Sequence, residues 1–223
     1  MKKLTLQKSI QEIYQNAITA GWDLFCQKIA YKGIEGGKGG LFNNANVKKY
    51  TIDNSDATSA NSGFVGMNDE DVVSFLNGVF ETYLLNSNMN ITLMPNVFLV
   101  PTFVGSDLSS RFSALYTSTL RQFLIDHNLG SDESNGNQKV RISSRPDLNT
   151  LGTGSHGRIV AYRNEPDFVR LDIPYPMQHF ITLPNIDKMS YTSAFVGQVS
   201  EIQLPYNTSD DELGPVTYWD FTK

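Results

Sequence analysis

The feature that most restricts how this chain can fold is a long apolar repeat near its start. From about Leu6 to Lys32, apolar side chains recur at steps of three and four residues, with Gln, Glu, Lys and Asn between them. This spacing predicts an amphipathic α-helix, close to 40 Å long at about 1.5 Å per residue. Such a helix is a rigid structural beam, and we expect a bend or a close packing contact at Gly21, which weakens its middle.

Beyond this helix, the sequence predicts loops, a second helix and a buried strand. A glycine-rich loop, Gly33–Val47, ends the first helix, and a polar run, Thr51–Ser62, continues the loop. Asn68 is a capping residue, and the three acidic residues that follow it suit the start of a helix that runs to about Asn86. The apolar run ITLMPNVFLVP then predicts a buried strand.

A third helix is expected from Ser106 to about Asn128, capped at its start by Ser106 and Asp107. The segment Gly130–Asn137 predicts an exposed turn, and the runs KVRIS and RIVAYR predict strands. The C-terminal part combines prolines with alternating aromatic side chains, which is typical of β-structure. The order of elements indicates an α+β fold class, with a mixed α/β lobe inserted into an outer lobe.

Composition excludes several classes of protein. The chain has 223 residues, a formal net charge of −5 and one cysteine. This length supports a sizeable core, and the single thiol excludes a disulfide framework or a cysteine-based metal cluster. The sequence has no signal peptide and no apolar run of about 18 residues, which argues against a membrane protein. Its Lys and Arg residues are scattered, which argues against sequence-specific binding of nucleic acid.

Two glycine-rich motifs have the composition of phosphate-binding loops but lack the required context. GTGSHG, at Gly152–Gly157, has the spacing of a dinucleotide-binding motif, which must follow a strand and open a helix. Because the strand-like RIVAYR follows it, we expect a flexible turn instead. GGKG, at Gly36–Gly39, lacks both the first glycine and the magnesium-binding Ser or Thr of a phosphate loop.

The histidines and serines form no recognisable catalytic or metal-binding pattern. His127, His156 and His179 are far apart in the sequence and share no helix face. Ser155 and His156, with Asp147, have the residue types of a hydrolase triad. Adjacent residues of an extended segment point to opposite faces, however, so this pair is not a nucleophile and its base.

The remaining candidate residues have structural interpretations. Cys26 lies among apolar residues of the long helix, which predicts a buried, unreactive thiol. The acidic run Asp69–Asp71 suits a helix start, and Asp210–Glu212 suits a solvated loop. Trp22 and Trp219 are expected to anchor a core or an interface. We therefore assign no catalytic, cofactor-binding or metal-ligating residue, and we expect no cofactor.

Taken together, these segments resemble the major capsid proteins of tailed phages and prophages, which have the Hong Kong ninety-seven type fold. The long helix ending in GGKGGLFNN resembles that family's spine helix. The segments from Asp69 to Asn86, ITLMPNVFLVP and the helix beginning at Ser106 resemble its axial domain. RIVAYRNEPDFVRLDIPYP, through VGQVSEIQLP to VTYWDF, is similar to the C-terminal half of one prophage capsid subgroup.

The resemblance implies a structural head-shell subunit without catalysis. It implies a peripheral-like domain at 1–67 and 176–223 with the spine helix, and an axial-like domain at 68–175. It also implies self-association into pentamers and hexamers, possible scaffold, portal or decoration partners, and a place in the virion after synthesis in the bacterial cytoplasm. In that family an N-terminal arm and an extended loop precede the spine helix. Here the helix starts within a few residues of Met1, so both elements are expected to be absent.

Three other functions remain open. An encapsulin-like compartment shell would share the fold, and its gene would lie beside that of a cargo enzyme rather than beside terminase or portal genes. A tail or head-completion protein would form a single ring or tube. A small α/β enzyme would bind a nucleotide at Gly152–Gly157, and a bulky residue in place of Gly154 would remove that affinity.

Overall fold

The computed structural model divides the chain into two compact units. The smaller unit comprises Met1–Leu41 and Leu171–Ile202, and the larger unit comprises Phe42–Arg170 and Gln203–Lys223. The structure describes residues 10–35, 39–52, 63–64, 67–87, 89–113, 117–133, 139–188, 190–205 and 214–222.

Helices are concentrated in the first two thirds of the chain, and strands dominate its end. The α-helices of the described residues are α1 (Ile10–Lys32), α2 (Asp69–Asn86), α3 (Thr102–Ser110), α4 (Leu120–Asp126) and α5 (Leu129–Glu133). Short 3-10 helices are Ile91–Leu93, Pro146–Asn149 and Thr153–Ser155. The strands are β1 (Lys48–Ile52), β2 (Val97–Pro101), β3 (Phe112–Ser113), β4 (Ser118–Thr119), β5 (Arg141–Arg145), β6 (Arg158–Tyr162), β7 (Arg170–Leu171), β8 (Tyr175–Asn185), β9 (Ser190–Gln198), β10 (Ile202–Gln203) and β11 (Val216–Phe221).

The smaller unit contains the long helix that the sequence predicts. Helix α1 has 23 residues, which corresponds to about 35 Å, and the part of the prediction before Ile10 lies outside the described residues. Gly33, with a φ of +80°, ends the helix, and the Leu41 N–H then donates to the Ala30 carbonyl at 2.9 Å. The expected packing contact at Gly21 is not observed, because no described neighbouring atom lies within 4 Å of where its Cβ would stand.

A β-hairpin forms the other part of the smaller unit. Strands β8 and β9 pair antiparallel, with irregularities between Tyr175 and Gln178 and between His179 and Ile181. Helix α1 contacts this hairpin where a Cβ added to Gly197 would lie 2.6 Å from the Trp22 ring. The absence of a side chain at this glycine therefore lets the tryptophan lie close to the strand backbone.

The larger unit is built on a five-stranded mixed sheet. Its strand order is β1-β11-β6-β2-β5, with β1 parallel to β11, β2 parallel to β5, and the remaining neighbours antiparallel. Every residue of the three inner strands β11, β6 and β2 is buried. This explains why their sequences are nearly continuous apolar runs rather than alternating patterns.

The apolar face of α2 belongs to the same core as this sheet. Of the apolar residues predicted for this face, Val73 is only half-buried. The others are buried, namely Val72, Leu76, Val79, Phe80, Tyr83 and Leu84. The Tyr83 hydroxyl also donates to Thr217 Oγ1 of β11 at 3.0 Å. Asn68 occupies the N-cap position, but its side chain makes no capping hydrogen bond, so this part of the prediction was wrong.

The predicted third helix was wrong in its bounds. Helix α3 begins at Thr102, whose N–H donates to Asn149 Oδ1 at 2.9 Å, so Ser106 and Asp107 lie inside the helix rather than at its start. The helix ends at Ser110, and Phe112, which was expected on the apolar face of the helix, is 68% exposed in the short strand pair β3–β4. A separate helix, α4, starts after Thr119, whose side chain caps it.

Two further elements differ from the sequence predictions. Strand β1, for which no strand was predicted, overlaps the start of the predicted loop at Thr51–Ser62 and pairs with β11 at the edge of the sheet. Helix α5 occupies the start of the predicted turn at Gly130–Asn137, and Gly130 is buried against the Phe80 ring. Tertiary packing therefore determines the secondary structure of both segments, because their local sequence preferences are weak.

Strand pairing accounts for the limits of the two units. Segments 42–67 and 203–223 belong to the larger unit. The reason is strand pairing, because β1 and β11 lie in these segments and form one side of the five-stranded sheet.

Candidate functional site

The glycine-rich segment Gly152–Gly157 forms a structural turn in the larger unit. Gly154 has a φ of +71°, and the segment leads directly into the buried strand β6, as the sequence predicts. Thr153 donates both its N–H and its hydroxyl to Asp220 Oδ2, at 3.0 and 2.9 Å. These two donors hold a carboxylate of the protein itself, and no helix follows to receive a phosphate.

The histidines and the triad-like residues lie in separate structural settings. His127 is the exposed C-cap of α4, and His156 follows the turn at Thr153–Ser155. His179 lies on β8 in the smaller unit, with Nε2 at 2.7 Å from Thr182 Oγ1. Within the described ranges, no group of three or more His, Cys, Asp or Glu residues could hold a metal ion.

The cysteine, acidic and tryptophan residues considered in the sequence analysis lie in the following positions. Cys26 is buried, and this burial, together with the charge of Asp23, raises the pKa of its thiol, so it stays protonated at neutral pH. Asp69 lies in the first turn of α2, 3.5 Å from the Arg111 guanidinium. Trp219 is buried in the core. The acidic run Asp210–Glu212 lies outside the described residues.

The larger unit contains a buried ion pair on neighbouring strands. Arg158 of β6 and Asp220 of β11 are register partners, and both are buried. Arg158 Nε donates to Asp220 Oδ1 at 2.6 Å, and Nη2 donates to Oδ2 at 2.9 Å. With the two bonds from Thr153, the carboxylate accepts four hydrogen bonds, so this buried charge is fully paired.

The same arginine holds the loop that follows α1. Arg158 Nη1 donates to the Phe42 carbonyl at 2.9 Å, and the guanidinium carbon lies 4.5 Å from the centre of the Tyr218 ring. The Tyr218 hydroxyl accepts from the Asn44 N–H at 2.9 Å. The ion pair thus joins three segments that are distant in sequence: the 42–44 loop, the 152–157 turn and the last strand.

The pKa of Asp220 reflects two opposing effects. Burial alone raises the pKa of its carboxyl group, but the hydrogen bond and charge of Arg158, together with the hydrogen bonds from Thr153, outweigh burial. The net effect lowers the pKa below its usual value. Burial also raises the pKa of the Tyr83 and Tyr218 hydroxyls far above their usual value. These are properties of a rigid core rather than of an acid–base site.

An apolar cavity lies in the core of the larger unit. Its volume is about 20 Å³, and its lining is almost entirely apolar, with residues from α2, α3, α4 and the sheet. This volume accommodates about one water molecule, so the cavity is too small for a nucleotide or another metabolite.

Large apolar side chains are exposed on both parts of the smaller unit. On α1 the exposed ones are Ile13, Tyr14, Ile18, Leu24 and Phe25; on the hairpin and the segment before it they are Ile173, Tyr175, Phe180, Ile181, Leu183, Ile186 and Val196. Exposed apolar side chains concentrated in one unit are typical of surfaces that contact other molecules. Among the described residues, no helix is long and apolar enough to cross a membrane.

Comparison with known families identifies the chain. A family sequence model described as "Major capsid protein" matches residues 4–209. The chain belongs to the major capsid protein family. This finding confirms the resemblance to the major capsid proteins of tailed phages that the sequence segments carry.

A solved structure supports the same fold. "The capsid of Myoviridae Phage XM1" matches with a TM-score of 0.64 and 13% sequence identity, over 94% of this chain. This chain spans 65% of the length of that capsid chain. At this identity the match establishes a shared fold. No curated protein sequence matches the chain.

Sequence reasoning missed two features of this major capsid protein. The first is the ion pair, although its signal was present: Arg158 and Asp220 are single charges of opposite sign inside nearly apolar strands. The second is the exposure of the hairpin, since an apolar strand in the sequence predicts burial. Only the structure distinguishes a strand buried in a core from one that is exposed.

Proposed function

We propose that this major capsid protein is a structural, non-catalytic subunit of the head shell of a tailed phage or prophage. The family match over residues 4–209 carries this proposal. The architecture agrees with it: a long helix, a rigid sheet with a fully paired buried ion pair, a core cavity too small for a metabolite, and exposed apolar surface on the smaller unit.

The proposal extends to the organisation of the shell. The smaller unit, with α1 and the β8–β9 hairpin, is the peripheral-like part, and the larger unit, with the five-stranded sheet, is the axial-like part. Copies of the chain associate into pentamers and hexamers of a closed shell. Scaffold, portal or decoration proteins are further partners, and the protein is made in the bacterial cytoplasm and resides in the virion.

Mass spectrometry of particles tests this function. Particles are sedimented from the source cells after prophage induction, imaged by electron microscopy, and analysed for peptides of this chain. We expect closed shells in which these peptides dominate. Absence of the chain from the particles would refute the proposal. Isolated rings or tubes would indicate a tail or head-completion protein, and shells filled with an enzyme would indicate a compartment protein.

A further inference from the structure

The strand edges of this protein are protected unequally against pairing with other strands. Edge strands of soluble proteins usually carry charged residues or proline, which prevent further strands from adding. In the five-stranded sheet, edge strand β1 carries Lys48 and Lys49, and edge strand β5 begins and ends with Arg141 and Arg145. Both edges of that sheet therefore have the usual protection.

Strand β9 has no such protection. Its sequence, SYTSAFVGQ, contains no charged residue and no proline, whereas β8 carries Pro176 and Pro184. Within the part of the chain that the structure describes, β9 pairs with β8 alone, in a two-stranded sheet. A two-stranded hairpin is marginally stable in water, and further strands stabilise it. The outer edge of β9 is thus an open site for another strand.

One face of the hairpin is also apolar and exposed. Ile181 lies opposite Ala194, and Leu183 lies opposite Thr192, so these side chains share one face with Val196. Exposed fractions on this face are 42% for Ile181, 55% for Leu183 and 48% for Val196. The open edge and the uncovered apolar face therefore belong to the same surface.

We propose that the outer edge of β9 pairs antiparallel with β9 of a second copy of this chain, forming a four-stranded sheet across a two-fold axis. Because β9 carries no charge, self-pairing places no like charges opposite each other. This inference rests on the proposed function, in which many identical copies meet at high local concentration. A two-fold contact uses the same patch on both copies, so a single strand suffices to form it.

The side chains of β9 itself agree with a contact of this kind. Ala194 and Val196 share one face of the strand and both are exposed. In the four-stranded sheet they would lie beside side chains of the second copy's β9, and this contact would remove part of their apolar area from water.

Disulfide trapping on the full chain tests the pairing and its register. Cysteine is introduced singly at Thr192, Ala194 or Val196 in a Cys26→Ala background, and the three variants are oxidised alone and in pairwise mixtures. Directly opposed residues of an antiparallel pair have Cα atoms about 4.5–5.5 Å apart, which is within the Cα separation that a disulfide spans. We expect only the combinations opposed in one antiparallel register to crosslink at least about tenfold faster than the others, because paired strands hold the thiols at high effective concentration. A register centred on Ala194, for example, joins Ala194→Cys to itself and Thr192→Cys to Val196→Cys. Ser74→Cys, at an exposed position of α2, is the control.

A charge substitution gives an independent readout. Val196→Lys places a charge at the proposed contact, and we expect it to weaken association of the full chain at least about tenfold. Ser74→Lys adds the same charge elsewhere and should change association little. Folding of each variant is checked by circular dichroism, and a variant that fails to fold is replaced by Ala194→Lys.

Particle imaging separates this inference from the proposed function. Closed shells together with a register-specific crosslink support both. Closed shells in which no combination crosslinks faster than the Ser74→Cys control overturn the β9 pairing and leave the shell function standing. A register-specific crosslink in a soluble dimer, with the chain absent from particles, supports the pairing and refutes the shell function. Equal crosslinking at all positions indicates random collision and overturns the pairing.

Discussion

Replacing Asp220 with Asn tests whether the buried ion pair stabilises the larger unit. Arg158 and Asp220 are 4% and 3% exposed, and the carboxylate accepts bonds from both Arg158 and Thr153. Asp220→Asn preserves the shape but leaves the guanidinium charge buried without a counter-charge. Removing one partner of such a pair costs about 3–5 kcal/mol. With a urea dependence of about 2 kcal/mol/M, the lower value shifts the unfolding midpoint by about 1.5 M urea.

Tryptophan fluorescence is a suitable measurement for this unfolding. The chain has two tryptophans, and Trp219 is buried beside Asp220 with its ring 4.5 Å from that of Tyr50. A Trp22→Phe background therefore makes Trp219 the single reporter, and it reports on the sheet. Glu165→Gln is the matched control, because Glu165 pairs with Arg163 but its side chain is 41% exposed. Such a pair contributes about 1 kcal/mol or less.

A double-mutant cycle separates the pair from its surroundings. Arg158→Met and Asp220→Asn are measured singly and together, and the double variant should cost less than the sum of the two, because neither charge is then left alone. If the costs add to within about 0.5 kcal/mol, or if Asp220→Asn costs under about 1 kcal/mol, the reasoning about this pair is refuted.

The pH dependence of the free energy of unfolding is a second test of the Arg158–Asp220 ion pair. The pKa of Asp220 is lowered in the folded protein, so the unfolded chain binds the proton more readily. The stabilisation is therefore present above the unfolded pKa, near 3.9, and is lost as the pH falls through the folded pKa. The stability difference between wild type and Asp220→Asn should be constant from about pH 7 to pH 5 and should shrink below about pH 4. A constant difference down to pH 2 would contradict this explanation.

Three further predictions concern other parts of the molecule. Gly40→Ala should strongly destabilise the smaller unit, because its Cβ would lie 2.4 Å from backbone atoms of α1. Gly21→Ala, in open space, should stabilise the unit by up to about 1 kcal/mol. Thermal unfolding compares the two variants, and equal effects on stability would refute the packing argument. Since burial raises the pKa of Tyr83 and Tyr218, stability should fall above about pH 10. The phenolate absorbance of these two buried tyrosines should develop only on unfolding, after that of exposed tyrosines, and ionisation of all tyrosines before unfolding would contradict this. Arg111→Ala should lower the free energy of unfolding by about 2–4 kcal/mol, because Arg111 donates to the Phe64 and Met67 carbonyls at 2.6 and 2.8 Å. Limited proteolysis measures the effect, and cleavage that is no faster near these two residues would show that the hydrogen bonds are dispensable.

Sequence periodicity determined the elements whose local signal and final environment agree. Helix α1 followed from its three- and four-residue spacing and from Gly33, which takes a positive φ at its end. Helix α2 followed from its acidic first turn and its apolar face, and the strands β2 and β6 followed from short apolar runs. The turn at Gly152–Gly157 was also predicted, because the residues after it have strand character.

Tertiary contacts determined the elements whose local signal was ambiguous. The sequence from Ser106 onward has helical spacing, but the helix starts at Thr102, where Asn149 supplies a hydrogen-bond acceptor that is distant in the chain. Strand β1 exists because β11 offers it a parallel partner. The limits of the two units depend on the same pairing, which no local pattern records.

The sequence by itself therefore determined the family resemblance, the long helix and the absence of a recognisable catalytic pattern, because each of these is a local pattern of residue types. Only the tertiary structure decided which apolar residues face water and which charges meet. Val160 of β6 is fully buried and Val196 of β9 is half exposed, although both are valines in apolar strands. Burial depends on which segments pack together, and that is a property of long-range contacts rather than of spacing along the chain.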